Sequence, residues 1–324
     1  MSPRNMALSA LTALAGISMA SGAMADGRAP GSLLLFPEFD NQMGTVTVLT
    51  VTNTAVDVGD VQVEFVYIGR YGGSGSDIDC EEFNRTEVLT DNDTITLLTE
   101  VHNPQQEQGF VYAFARQGVD NPIVHNWLIG NVMTVDGLTA FEYSVNPVSY
   151  EGFAGDLNDN GLRDLDGSEY EESPDEILVP RFLGQNADRK SELILIGLTG
   201  GARFDTTVDF LIYNDNEEVF SSEYTFRCWE RVLLEDISGI FDNDYLAMWT
   251  NHDPQELLGA DDIETGWFRL DGAIASSTST TLSDPAVYGV LVEKIGNRGA
   301  ADLPFEMGLN DSGKLFARSN DGEF

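Results

Sequence analysis

Positive charge is scarce in this sequence. It has 17 Lys and Arg residues against 54 Asp and Glu residues, which gives a formal net charge of −37. A protein this acidic repels phosphate backbones and anionic lipid headgroups. The composition therefore excludes nucleic acid and anionic membrane surfaces as favoured partners. It fits a saline habitat, where salt screens self-repulsion, and equally the acidity of many exported proteins.

Long apolar runs are also missing, apart from one near the N-terminus. Residues 6–19 are apolar, Arg4 precedes them, and Ala23-Met24-Ala25 offers the small residues that a signal peptidase reads. The run is too short for a membrane anchor and is interrupted by Gly16. We therefore predict a signal peptide over residues 1–25, and a secreted, extracellular or periplasmic and cell-surface protein without membrane insertion.

Cysteine occurs only twice, as Cys80 and Cys228. In an exported protein two cysteines suggest one disulfide, which here would span 148 residues and stabilise the fold by roughly 5 kcal/mol in the chain-entropy model. The alternative is that each is a small buried thiol. If the two cysteines hold equivalent places in a repeated structure, a bond between them requires the repeats to pack about a pseudo-twofold axis.

Recognisable catalytic signatures are absent as well. The sequence has no GxSxG, HExxH or P-loop motif. Its three histidines, His102, His125 and His252, lack the close spacing of a zinc site, which leaves a metal-dependent hydrolase as a weak third hypothesis. With 54 acidic residues, the choice of a catalytic carboxylate pair would be arbitrary. We predict that the protein is not an enzyme.

What the sequence does contain is one pattern twice. Four segments of the first half recur in the second half at offsets that drift slowly from 143 to 150 residues. Such self-similarity indicates an internal duplication. The matched segments are Leu35-Phe36-Pro37-Glu38-Phe39 with Leu178-Val179-Pro180-Arg181-Phe182, Val63–Tyr67 with Val208–Tyr213, Cys80 with Cys228, and His102-Asn103-Pro104-Gln105 with His252-Asp253-Pro254-Gln255.

Hydrophobic periodicity indicates strands throughout. Residues 45–52 alternate apolar and hydroxyl side chains, and residues 222–229 alternate Tyr, Phe and Cys with polar residues. Only a few helical turns are expected. The predicted fold is all-β, with two tandem antiparallel β-sandwich, immunoglobulin-like domains. The predicted boundaries are 26–150 for the first repeat, 151–176 for an acidic linker, 177–310 for the second repeat and 311–324 for a C-terminal tail.

The linker contains an ordered set of oxygen ligands. Asp156, Asn158, Asn160 and Asp164 occupy positions 1, 3, 5 and 9 of a loop with Gly161 at position 6. This arrangement resembles the calcium loops of EF-hand, dockerin and thrombospondin type-3 repeats, over about a dozen residues. The resemblance implies a structural calcium ion that also binds the carbonyl of Leu162 and a closing carboxylate from Asp166 or Glu169, because Gly167 stands where an EF-hand has glutamate. The alternative is a solvated acidic turn.

Three functions are compatible with these features. The first is an exported, non-catalytic protein with a surface, envelope or extracellular structural or interaction role, stabilised by calcium and bound to an unidentified protein or glycan. The second is a carbohydrate-binding or carbohydrate-active protein, in which tryptophans could stack on sugar rings. Alternation places Trp127 in the core, and we match it loosely to Trp267 in the second repeat. The metal-dependent hydrolase is the third.

Overall fold

A computed structural model of the chain describes residues 29–71, 80–118, 121–201, 204–249, 263–311 and 313–315. The predicted leader and the second His-Asp-Pro-Gln segment lie outside these residues. The described chain is built almost entirely from antiparallel strands, which confirms the predicted all-β class. In the described part, no helix is long and apolar enough to cross a membrane.

The first half contributes two sheets and one helical turn. The sheets have the strand orders β4-β3-β6-β1-β9 and β5-β2-β7-β8. Their elements are β1 (Leu33–Asp40), β2 (Thr45–Asn53), β3 (Val61–Tyr71), β4 (Glu81–Leu89), β5 (Thr94–Leu98), α1 (Thr99–His102), β6 (Gln106–Arg116), β7 (Leu128–Asp136), β8 (Phe141–Val145) and β9 (Val148–Tyr150).

The second half follows a short linker strand, β10 (Arg163–Leu165), and contributes two more sheets. Their orders are β14-β13-β16-β11-β20, with β17 beside β16, and β15-β12-β18-β19. The elements are β11 (Ser173–Leu183), β12 (Glu192–Gly197), β13 (Asp205–Asn214), β14 (Val219–Phe226), β15 (Trp229–Leu233), α2 (Leu234–Ile237), α3 (Asn243–Trp249), β16 (Thr265–Ser276), β17 (Thr281–Ser283), β18 (Val287–Ile295), β19 (Arg298–Ala301), β20 (Phe305–Asp311) and β21 (Gly313–Leu315).

The two halves share one strand order. The sheets of the first half become those of the second when each strand is replaced by its counterpart: β1 by β11, β2 by β12, β3 by β13, β4 by β14, β5 by β15, β6 by β16, β7 by β18, β8 by β19 and β9 by β20. Equivalent strands also pair antiparallel with equivalent neighbours. The internal similarity in the sequence therefore corresponds to a repeated arrangement of strands.

The repeated Leu-x-Pro-x-Phe segment forms a β-bulge in each half. The register of β1 against β6 shifts between Phe36 and Phe39, and that of β11 against β16 shifts between Val179 and Phe182. Proline suits this position because it has no N–H to give to the ladder. A glycine faces each bulge phenylalanine; a Cβ on Gly109 would lie 2.0 Å from the Ile68 carbonyl oxygen. The motif thus encodes a bend in the strand.

The halves are stacked sheet on sheet. Side chains on both faces of β1 and β12 are buried, as is most of β6 and β18. Strands β1 and β6 of the first half pack against β12 and β15 of the second. The sheet β15-β12-β18-β19 of the second half therefore packs against the sheet β4-β3-β6-β1-β9 of the first half. Its counterpart in the first half is β5-β2-β7-β8. Because the two faces in contact are not equivalent, the packing is head to tail and does not follow a pseudo-twofold axis.

Covered and open faces differ in chemistry at equivalent positions. On the second half, the covered face carries Ile, Val, Trp and Arg side chains; on the first half, the open face carries Thr and Asn at several of the equivalent positions, beside the partly exposed Ile129, Met133 and Leu98. The equivalent pairs, aligned through their ladder partners, are Ile194 with Thr50, Ile196 with Thr52, Val290 with Asn131, Trp229 with Thr94 and Arg231 with Thr96. Burial of one copy explains why the duplicated strands diverge in sequence.

Two expectations about the duplication are wrong. Cys80 precedes β4, whose counterpart is β14, whereas Cys228 follows β14, so the cysteines are not equivalent. Trp127 precedes β7 and Trp267 lies in β16, the counterpart of β6, so these tryptophans do not correspond. The immunoglobulin-like order is not confirmed, because β1 and β2 lie in different sheets here, whereas the first two immunoglobulin strands share one sheet.

Candidate functional site

The linker loop has the backbone of a compact turn. The Asp156 carboxylate accepts hydrogen bonds from the backbone N–H groups of Asn160 and Gly161, at 3.2 and 2.9 Å. Gly161 adopts a φ of +77°, in the left-handed region that glycine reaches without strain. The residue at position 1 therefore organises the bend at positions 5 and 6, as the resemblance to calcium loops implies.

The remaining predicted ligands separate into two groups. Asp164 is buried, and its Oδ2 accepts from the side-chain amides of Asn158 and Asn160 at 2.9 and 3.2 Å. Glu169, also buried, closes the loop by accepting from the backbone N–H of Leu157 at 2.6 Å. Asp166 is exposed and instead accepts from the N–H groups of Ser168 and Glu169 in its own turn. Of the two candidate closing carboxylates, Glu169 is the one inside the loop.

This donor set would fit a hard cation once the side-chain amides of Asn158 and Asn160 rotate. Burial raises the pKa of Glu169, and the nearby charges of Asp164 and Asp156 raise it further. The amide nitrogens of Asn158 and Asn160 now face Asp164. Both amides would have to turn their oxygens inward to bind calcium, which takes six to eight oxygen ligands. The carbonyl of Leu162, at a half-buried residue, would complete the predicted set.

The loop is fastened to the rest of the molecule. Arg163 is 1% exposed, and its guanidinium lies 4.8 Å above the ring of Phe114 in β6. It also approaches Asp156, with Nη2 3.8 Å from Oδ2. Arg163 is also the first residue of β10, which pairs with β21. A change in the loop would therefore reach both the first half and the C-terminal strand.

A disulfide joins the halves directly. Cys80 and Cys228 are bonded, with Cα atoms 6.3 Å apart, inside the range that disulfides require. Both residues are buried, and both have left-handed backbones, with φ of 45° and 60°. The following residue, Trp229, donates its indole N–H to the carbonyl of Pro37 in the bulge of β1 at 2.8 Å. The bond thus closes a contact between β15 and the first half.

A buried ionic network lies at the same junction. Glu38, in the bulge of β1, is fully buried and binds Arg231 of β15, with Nη1 2.6 Å from Oε1. Tyr143 donates a second hydrogen bond to this carboxylate. Arg231 and Lys294 each bind Glu192, both at 2.6 Å. Two cations therefore balance two carboxylates across the interface.

The electrostatics of this network follow from burial. Removal from water raises the pKa of Glu38, although the Arg231 charge opposes the rise. Burial also works against ionisation of Glu192, but Arg231 and Lys294 outweigh it and lower the pKa of that carboxyl. A polar cavity of about 470 Å³ adjoins the network and is lined by residues of both halves. The Glu38–Arg231 pair crosses between the halves, whereas Glu192 is paired with Arg231 and Lys294 within the second half.

Of the candidate zinc ligands and sugar-stacking residues, His102, His125 and Trp229 lie within the described residues in buried or half-buried structural places, whereas His252 lies outside them. His102 Nδ1 lies 2.7 Å from the Tyr67 hydroxyl, His125 Nε2 lies 2.9 Å from Asn53 Oδ1, and burial lowers the pKa of both imidazoles. The cysteines are oxidised and cannot serve as thiolate ligands of zinc. Trp229 is buried, but Trp127 is 46% exposed, so its placement in the core is wrong. It precedes β7 rather than lying within its alternation.

The outer face of the second half is strongly acidic. A groove of about 610 Å³ crosses strands β14, β13, β16 and β11, and its lining includes Asp209, Glu223, Glu176, Arg269 and Asp271. At one end of the same face the rings of Tyr213 and Trp267 stack 4.2 Å apart. This groove is the larger of the two cavities described here.

Beside the groove four aspartates crowd together. Asp175, Asp271, Asp284 and Asp311 each place a carboxylate oxygen within 4.8 Å of the others. Burial, followed by repulsion from Asp284 and Asp175, raises the pKa of Asp271 to about 6 and that of Asp311 to about 7. Asp271 and Asp311 therefore titrate between about pH 6 and pH 7. This cluster could not be recognised in the sequence, because its four aspartates come from four separate segments.

Comparison with known proteins does not identify a family for this chain. No family model matches the chain, and no curated protein matches it. Among solved structures, the match is to "Cowpea mosaic virus top component (CPMV-T) - naturally occurring empty particles", with 10% identity over 98% of this chain and 99% of that one. Its TM-score is 0.18, so the likeness carries no argument about this protein.

Proposed function

We propose that this is an exported, non-catalytic structural protein built from two tandem β-sandwich repeats, acting at a surface, in an envelope or outside the cell, and stabilised by calcium. The observation that supports it best is the way the halves are held together. A disulfide and a buried ionic network cross the contact between the halves, and a loop that resembles calcium-binding loops is attached to the first half and to β21. A disulfide persists in oxidising compartments, which suits export.

The proposed structural role of the loop follows from its attachments. Arg163 is inserted against the first half, and β10 pairs with the strand that follows the second half. Calcium bound by Asp156, Asn158, Asn160, Asp164, Glu169 and the Leu162 carbonyl would neutralise three carboxylates held close together. The ion would thereby fix the linker between the two repeats. Extracellular modules of this kind bind calcium with Kd of about 10⁻⁴ to 10⁻³ M.

Calcium should raise the melting temperature of the purified protein. At about 5 mM calcium, a Kd in that range gives about 1–2 kcal/mol of stabilisation relative to excess chelator. Asp156→Asn should abolish the difference, because it removes the charge at position 1 while keeping an acceptor for the backbone. Differential scanning fluorimetry with and without calcium measures both effects.

The matched control is Asp159→Asn. Asp159 lies exposed in the same loop with a φ of 55°, which asparagine tolerates, and it is not a predicted ligand. This variant should keep the full calcium response. Equal melting temperatures with calcium and with chelator in the unaltered protein would rule out the site, as would a response that survives in Asp156→Asn.

A further inference from the structure

Four carboxylates form a straight row across the outer face of the second half. Glu223 faces Asp209, Asp209 faces Asp271, and Asp271 faces Glu176, each as direct ladder partners on adjacent strands. With strands about 4.8 Å apart, the row is about 14 Å long. It runs along the floor of the 610 Å³ groove.

This arrangement is unfavourable for the isolated fold. Like charges directly opposite one another on a sheet destabilise it. The cation that lines the groove, Arg269, is bound to Glu176 at 3.2 Å, at one end of the row. At Asp271, Oδ1 is buried and no described group donates a hydrogen bond to it. The row thus combines repulsion with an unsatisfied buried acceptor.

On the first half, the equivalent row lies on the face that contacts Arg163 of the linker and the second half, although its outermost position, Thr86, is exposed. The equivalent positions, Thr86, Glu64, Phe114 and Leu33, follow the same ladder pairing. Here Arg116 pairs with the single carboxylate, Glu64. This face receives a sheet of the second half. The corresponding face of the second half is the equivalent receiving surface, but it carries four acids and is open to solvent at Asp209 and Glu223.

We propose that this groove is a docking surface for a lysine- or arginine-rich segment of a partner protein. Charge complementarity selects this occupant. A row of four carboxylates about 14 Å long matches successive basic side chains, whereas an acidic second copy of this chain would be repelled. The apolar Leu211 beside the row, and the stacked Tyr213 and Trp267 at one end of the face, offer surfaces for the aliphatic and cationic parts of such side chains.

A fluorescently labelled octalysine peptide tests the proposal by anisotropy titration at about 0.15 M salt. The double variant Asp209→Asn/Glu223→Gln should weaken binding about 5- to 10-fold, because two ion pairs are lost at exposed positions. The control Glu100→Gln/Glu142→Gln makes the same charge change at exposed sites on the first half and should change Kd less than about 2-fold.

The outcomes are distinct. Equal weakening in both double variants would show that octalysine binds the acidic protein non-specifically and would overturn the proposal, as would an absence of binding by the unaltered protein. Because Asp209 and Glu223 are exposed and carry like charge, their neutralisation should not unfold the protein; unchanged circular dichroism and an unchanged or higher melting temperature verify this.

Discussion

Replacing Arg231 by methionine should destabilise the protein by about 3–5 kcal/mol. The guanidinium is the ionic partner of Glu38, which is fully buried in the bulge of β1. Without it, that carboxylate must either remain charged away from water or take up a proton. The same change releases Glu192 from one of its two cations. Urea denaturation of Arg231→Met against the unaltered protein measures the loss.

The duplication supplies a control at the equivalent bulge. Arg181 lies in the second Leu-x-Pro-x-Phe segment, and its side chain is 62% exposed, although its partner Glu293 is 14% exposed. Because the guanidinium is open to water and Glu293 is not fully buried, Arg181→Met should cost less than Arg231→Met, about 1 kcal/mol. Combining Arg231→Met with Glu38→Gln should recover part of the loss, because no buried charge is left behind. If Arg231→Met and Arg181→Met were equally stable, the ionic network would not hold the halves together.

Loss of the disulfide should have an effect of similar size. The bond closes a loop of 148 residues, for which the chain-entropy model gives about 5 kcal/mol, with 2–5 kcal/mol typical of native disulfides. Both cysteines also hold left-handed backbones, which cost about 1 kcal/mol or more each and persist in a serine variant. Cys80→Ser/Cys228→Ser should unfold at a correspondingly lower urea concentration.

Two further results bear on that prediction. The bond is buried, so a reductant should act slowly on the folded protein and rapidly in denaturant. The reduced unaltered protein and the double serine variant should then have the same stability. A variant that matched the oxidised protein in stability would show that the bond is dispensable for holding β15 against the first half.

The part of the sequence repeat that the strands reproduce most closely is the part set by local backbone chemistry. The Leu-x-Pro-x-Phe segment marks a bulge in both halves because proline and the facing glycine impose the same geometry wherever they occur. Matching by spacing alone failed for the cysteines, whose offset of 148 residues agrees with the drift by coincidence. Loops of different length place them at different points of the fold.

The stacking of the halves could not be predicted in this way. Whether a sheet face is covered depends on the partner sheet. Ile194 is therefore covered by the other half, whereas Thr50, at the equivalent position, is not. Similarly, Glu223, Asp209, Asp271 and Glu176 are unremarkable among 54 acidic residues until strand pairing aligns them. The calcium-like loop is the exception, because its candidate ligands are neighbours in the chain.

We expect the two repeats to unfold as one structural unit, because the disulfide, the ionic network and the linker loop join them. Scanning calorimetry of the unaltered protein in calcium tests this expectation most directly. We expect one unfolding transition with a calorimetric enthalpy equal to the van't Hoff enthalpy, since each half covers a sheet face of the other. Two separate transitions, each carrying about half of the enthalpy, would show that the repeats unfold independently.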